Sequence, residues 1–102
     1  KEEPFGPIVP ILTFKSFDEV MERANDNDLG LCSYVYTTDL KKANEASEIL
    51  ETGCVAVNTP AVAVAEAPFG GIKQTGYGRE GGSMAIKDYL NIKYTHFGIS
   101  YE

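Results

Sequence analysis

Few residues in this chain combine the types and spacing that chemistry needs. The sharpest group is Glu2-Glu3-Pro4-Phe5-Gly6-Pro7. Two carboxylates stand beside an aromatic ring, and proline and glycine pin the backbone into a rigid turn. A hydrogen-bond acceptor next to a flat apolar ring suits a ribose diol and the face of a nicotinamide. Local sequence alone favours the plainer reading, an acidic turn before a strand. A second group, Gly76-Tyr77-Gly78-Arg79-Glu80-Gly81, has the G-x-G-x-x-G form of a dinucleotide phosphate cradle. Such a cradle follows a strand, opens a helix and is served by an acidic residue about 20 positions further on. No β-branched strand leads into Gly76, and Asp88 and Glu102 do not fit the acidic position. These glycines are better read as letting one loop pass close to other backbone.

The remaining reactive side chains carry less. A nucleophilic cysteine needs a basic neighbour or a helix N-terminus to lower its pKa. Cys32 and Cys54 both sit in apolar, strand-like runs and read as small core residues. His96 is the single histidine, with no serine or cysteine arranged around it, and reads as a solvated or interface residue. Glu45, Glu48 and Glu51 form a helical face that meets water. No spacing of His, Cys, Asp or Glu suits a metal. No catalytic residue and no metal ligand is therefore assigned.

The elements that must hold these groups follow from the apolar pattern. Ile8–Phe14 reads as a strand, with Pro10 marking an edge or bulge. Ser16-Phe17-Asp18-Glu19 has the form of a capping box, and Phe17, Val20, Met21 and Ala24 give the stripe of an amphipathic helix. Leu31–Thr37 is a second strand. Asp39 caps a second helix with Leu40, Ala43, Ser47 and Leu50 on one face, and Gly53 supplies its C′ stop. Cys54–Asn58 is apolar on both faces, as a buried parallel strand is. The order is βαβαβ, an α/β fold with one sheet. Thr59–Gly82 then holds Pro60, Pro68 and six glycines, with Gly53 just before it, and a loop this long is usually functional or shared with a partner. A short helix over 83–89 and a last strand, Ile92–Phe97, complete the chain; that strand puts Ile92, Tyr94 and His96 on one face.

Composition bounds the rest. The chain has 102 residues, 9 Lys and Arg against 15 Asp and Glu, and a net charge of −6. At this size one domain with its own core is expected, burying roughly two-thirds of its unfolded surface. The acidic balance argues against a nucleic-acid or anionic-membrane partner, because both call for a basic face. No apolar run approaches the roughly 18 residues of a membrane span. Two cysteines do not make a secreted disulfide framework, so a reducing cytoplasm is the expected compartment. The opening Lys1-Glu2-Glu3-Pro4, without an initiator methionine, reads as a piece of a longer parent.

Taken in order, E-E-P-F-G-P at the start, V-N at 57–58, P-F-G-G-I-K at 68–73 and G-x-G-R-E at 76–80 resemble the C-terminal part of the aldehyde dehydrogenase superfamily. The resemblance covers essentially the whole chain. The ending K-D-Y-L-N-I-K-Y is most similar to the succinate-semialdehyde dehydrogenase branch. The resemblance implies that residues 1–90 form the C-terminal part of a catalytic domain and 91–102 an oligomerisation strand and tail. It implies that Glu3 hydrogen-bonds the nicotinamide-ribose hydroxyls of NAD or NADP and that Phe5 packs near the nicotinamide. It places Ala61, Ala63 and Phe69 on the wall of the tunnel for a small aldehyde, with Asn58 and the P-F-G-G turn shaping that wall. The last strand would pair in a homo-oligomer, and the rest of the parent chain would be a further partner. Semialdehyde enzymes of this branch often carry a hydroxyl in the tunnel loop, whereas Ala61–Ala65 is entirely aliphatic. A distal carboxylate held there needs Arg or hydroxyl groups from elsewhere.

Two other functions fit the α/β pattern: a free-standing nucleotide-binding module and a non-enzymatic assembly domain using only the last strand. The Glu3–Phe5 pair argues against the second. The family's nucleophilic cysteine, its general-base glutamate and its phosphate-binding half match nothing in this sequence. The 102-residue chain by itself is therefore expected not to oxidise aldehydes. A panel of aldehydes assayed with NAD and NADP checks this, and turnover surviving removal of any full-length enzyme would contradict it.

Overall fold

The computed structural model describes residues 2–100. Lys1, Tyr101 and Glu102, which the domain boundaries above include, lie outside the described residues. The element order is α1 (Phe17–Asn25), β1 (Leu29–Gly30), β2 (Cys32–Val35), α2 (Leu40–Ile49), β3 (Cys54–Val57), β4 (Ile72–Lys73) and a 3-10 helix (Ala85–Tyr89). β2 and β3 pair in parallel, in register from Cys32 opposite Cys54 to Val35 opposite Val57. α2 is the crossover between them. β1 and β4 form a second, antiparallel pair, Leu29 opposite Lys73 and Gly30 opposite Ile72.

Both helix starts are set by short polar side chains. The Ser16 hydroxyl accepts from the Glu19 amide at 3.2 Å. Glu19 answers by accepting from the Lys15 amide at 2.8 Å, one residue before the position a capping box predicts. Asp39 accepts from the amides of Lys41 and Lys42 at the head of α2. The two helix ends are joined: the Asn25 side chain donates to Ile49 O at 2.8 Å and accepts from the Glu51 amide at 2.9 Å. Thus α2 stops at an extended Leu50 under the Asn25 amide, and Gly53 is not its C′ residue. Gly53 has another task. A Cβ there would run into the Gly70 carbonyl, so glycine is required where residues 53 and 70 pass.

The core is small. Ala43, Ala46, Leu50 and Ala56 are its buried apolar members. The inner face of α2 is therefore Ala43, Ala46 and Leu50; Leu40, expected on that face, is 76% exposed. Cys54, Val55 and Val57 are only half-buried, so β3 lacks the cover on both faces that its composition predicts. The described chain exposes 8767 Å², whereas a self-contained 11.1 kDa protein exposes about 5,700 Å². Its radius of gyration is 19.8 Å, against about 13 Å for a compact domain of this length. The expected self-sufficient core is not there.

Two expected strands are also missing. Ile8–Phe14 and Ile92–Phe97 carry no strand pairing, so the observed unit is βαβ with an added antiparallel pair and not βαβαβ with a terminal strand. The reason is physical. A strand exists only through its ladder, and neither segment has a strand partner among the described residues. Pro10 also removes one donor from the first. Ile92–Phe97 keeps the predicted alternation, since Tyr94 and His96 stack with centroids 6.4 Å apart.

The Ser16–Glu19 box makes α1 acid-sensitive. The Lys15 amide above all holds the Glu19 carboxyl below its ordinary value, against the opposing effect of desolvation and with help from Arg23 and the Ser16 amide. A depressed carboxyl contributes stability that is present above the ordinary carboxylate range and lost as pH falls through the lowered value. Ser16→Ala is expected to cost about 1 kcal/mol, and Glu19→Gln to flatten the acid limb of stability. Urea midpoints of the native polypeptide between pH 3 and 7 check both.

Candidate functional site

Glu3 and Phe5 lie on one tight turn. The Phe5 amide donates to Glu3 O at 3.0 Å and the Ile8 amide to Gly6 O at 2.8 Å. Pro4 and Pro7 fix the backbone between. The turn leaves the Glu3 side chain exposed and Phe5 96% exposed. A carboxylate acceptor and a bare ring two residues apart are compatible in chemistry with a ribose diol and a flat heterocycle.

The second part of the site begins at Asn58. Its amide continues the β2–β3 ladder by donating to Val35 O at 2.8 Å. Its backbone is then left-handed, φ 56°. Its side chain accepts from Thr37 N and donates to Thr37 O, both at 2.9 Å. The side chain thus imitates one more rung of sheet while the main chain turns away. The segment Thr59–Phe69 leaves here. Thr59 Oγ1 accepts from the Ala61 amide at 3.1 Å, and a turn closes from Ala67 N to Val64 O. Ala61 and Ala63 are exposed and Phe69 is half-buried.

The far end of the segment is held by the glycine run. Phe69 and Glu80 exchange two backbone hydrogen bonds of 2.7 Å, and Gly82 donates to Ala65 O at 2.8 Å. Gly81 sits at φ 69°, where a Cβ would lie 2.8 Å from Ala67 O. The G-x-G-x-x-G string is therefore a close-approach strip laid along residues 64–69, as its context predicts, and not a phosphate cradle. Sequence reasoning missed the task of Arg79. Its Nη1 donates to Gly71 O at 2.8 Å and to Gly78 O at 2.7 Å, while its amide donates to Asp88 Oδ2 at 3.0 Å. One guanidinium thereby pins the P-F-G-G turn to the glycine strip. The available signal was an Arg set directly after Gly78 in a glycine-rich run whose carbonyls have few side-chain donors nearby in sequence.

Ala61, Ala63 and Phe69 thus share one tethered segment, while Glu3 and Phe5 stand apart on theirs. Among the described residues no hydrogen bond joins residues 2–7 to residues 59–69. The cysteines lie on β2 and β3 as expected, half-buried where full burial was expected. Cys32 is pushed up by burial, and further by the adjacent Cys54. A raised thiol is a poor nucleophile at neutral pH.

The sequence profile of the aldehyde dehydrogenase family matches residues 1–95. The chain is 53% identical, over 95% of its length, to a 3-sulfolactaldehyde dehydrogenase of Pseudomonas putida. It is 46% identical, over 97%, to an NADP(+) succinate-semialdehyde dehydrogenase of Escherichia coli. It spans 20% of the length of each. Its fold is similar to the crystal structure of a succinate-semialdehyde dehydrogenase from Burkholderia pseudomallei, with TM-score 0.87 and 45% identity, over 93% of this chain and 20% of that one. An NADP-dependent enzyme of E. coli gives TM-score 0.89 at 46% identity, over 97% and 21%.

Asn58 supplies both a left-handed backbone and two hydrogen bonds, and substitutions separate the two. Asn58→Gly keeps the conformation and loses the bonds; Asn58→Ala loses both. The alanine variant is expected to be less stable than the glycine variant by about 1 kcal/mol. Urea denaturation of the native polypeptide measures the difference, and equal midpoints would remove the backbone role.

Proposed function

Because this chain belongs to the aldehyde dehydrogenase family, we propose that the polypeptide carrying it is an NAD(P)-dependent dehydrogenase that oxidises a semialdehyde, such as succinic semialdehyde, to the carboxylate. The observation that carries this reading is the tethered aliphatic segment Thr59–Phe69. It is clamped at Asn58 by Thr37 and at Phe69 by Glu80. A fixed apolar wall of this kind excludes water from one side of an aldehyde and orients it. Ala61, Ala63 and Phe69 are the wall residues. Their relatives named above act on anionic aldehydes, so pairing groups for the distal anion must come from other segments.

Glu3 holds the nicotinamide ribose through its carboxylate, and Phe5 lies against the ring. The bound nicotinamide supplies the hydride acceptor for aldehyde oxidation. Nucleophile and base belong to other parts of the polypeptide; this chain positions and walls. Its uncovered surface supports two further assignments. The segment 8–14 finds its ladder partner in the rest of the parent chain, completing the βαβαβ order. The segment 92–97 pairs with a neighbouring subunit, joining residues 91–102 to a homo-oligomer. No helix among the described residues is long and apolar enough to cross a membrane, and two free thiols suit a reducing cytoplasm.

In the full-length enzyme, Glu3→Gln keeps shape and removes the charged acceptor. Hydride transfer should slow by about tenfold or more, since a charged hydrogen bond contributes ~1.5–3 kcal/mol. The loss belongs in kcat more than in KM for the aldehyde. Single-turnover reduction of the cofactor is the measurement, and an unchanged rate would remove Glu3 from the site.

A further inference from the structure

We propose that Cys32 and Cys54 form a two-thiol oxidation site, which a hydroperoxide closes into a disulfide across β2 and β3. The two residues are direct register partners at the first rung of the parallel pair. Side chains of register partners leave the sheet on the same face. Neighbouring strands lie about 4.7–4.9 Å apart, inside the roughly 4.4–6.8 Å range of Cα separations that disulfides span. The Cα separation of register partners is therefore compatible with the bond. Both thiols are free and neither is fully buried.

Their surroundings favour pairing over other fates. Cys54 is the polar neighbour that raises the Cys32 thiol, after burial, as its place opposite Cys32 in the register requires. The Cys54 thiol also donates to Gly70 O at 3.8 Å, which anchors it beside the P-F-G-G turn. No lysine, arginine or histidine is hydrogen-bonded or ion-paired to either sulfur among the described residues. The first oxidation is slow in such a setting and goes through the thiolate fraction, and a sulfenic acid once formed on either cysteine has the other as its register partner.

The electron balance is simple. One thiol, deprotonated, attacks the peroxide O–O bond, giving a sulfenic acid and one water or alcohol. The second thiol attacks that sulfur; the S–S bond forms and the S–O bond breaks, releasing water. Two electrons pass from the sulfur pair to the peroxide, and the two thiol protons leave in the products. Cellular thiols reverse the step by exchange.

The test uses the native polypeptide. It is treated with hydrogen peroxide, alkylated with N-ethylmaleimide and digested with trypsin without reductant. Cleavage after Arg23, Lys41, Lys42 and Lys73 isolates Cys32 on peptide 24–41 and Cys54 on peptide 43–73. These two peptides are expected joined, two hydrogens lighter than their sum, and separated by dithiothreitol. Cys32→Ser and Cys54→Ser should each abolish the linked species and leave the other sulfur trappable by dimedone. The wild-type map decides the matter even if a variant does not fold. Recovery of both cysteines alkylated, over-oxidised, or joined to any other cysteine would overturn the proposal. This outcome is independent of aldehyde turnover, so it stands or falls apart from the function proposed above.

Discussion

Three stretches of chain meet where Asn25 and Lys73 share partners. The Asn25 side chain holds both sides of the α2 terminus, through Ile49 O and the Glu51 amide. Lys73 Nζ donates to Asn25 O at 3.1 Å and Asn27 O at 3.0 Å, and pairs with the Glu51 carboxylate at 2.6 Å. Lys73 does this from a left-handed backbone, φ 55°. A non-glycine residue in that conformation costs roughly 1 kcal/mol or more, which three oxygen partners offset. Among the described residues the buried apolar side chains are three alanines and a leucine, too few for apolar packing to fix how the helices meet the loop. This polar knot does so. It ties the end of α1 and the end of α2 to β4, the strand that follows the P-F-G-G turn. The segment 59–69 is therefore positioned from both ends: through Asn58 by the sheet, and through Lys73 and Arg79 by hydrogen bonds to main-chain carbonyls.

What was legible in the sequence was local. The Ser16 and Asp39 caps depend on residues three or fewer positions away, and both helices begin where those residues put them. The parallel pairing of 32–35 with 54–57 also followed from composition, since only two β-rich runs flank a single helix there. Long-range tasks were not legible. Gly53 resembles a helix stop, yet its neighbour is Gly70, seventeen positions away, and no local pattern carries that distance. Asn25 reads as a polar tail of α1, and its hold on residues 49 and 51 depends on the crossover returning to it. Ile8–Phe14 has the β-branched content of a strand, but content alone supplies no partner for its amides.

The candidate site divides in the same way. Glu3 and Phe5 could be singled out because their neighbours, two prolines and a glycine, limit the turn they sit on. Ala61 and Ala63 have no chemistry of their own and were assigned only through the ordered family motifs around them. The glycine strip shows how a motif can mislead in form while its physics remains readable. Four positive-φ glycines from 76 to 82 serve backbone passing over backbone, and the five-residue 3-10 helix that follows offers no row of free amides to an anion.

The uncovered surface also has a thermal consequence. Unfolding heat capacity arises from apolar surface that leaves a dry interior for water, and for a compact domain amounts to about 12–15 cal/mol/K per residue. Here Phe5, Ile92, Tyr94 and Phe97 are already more than four-fifths wet. Little apolar area is left to hydrate when this chain alone comes apart. Its own melting would have a small heat-capacity step, a low transition enthalpy and a broad span in temperature. A sharp calorimetric transition would require these side chains to be covered.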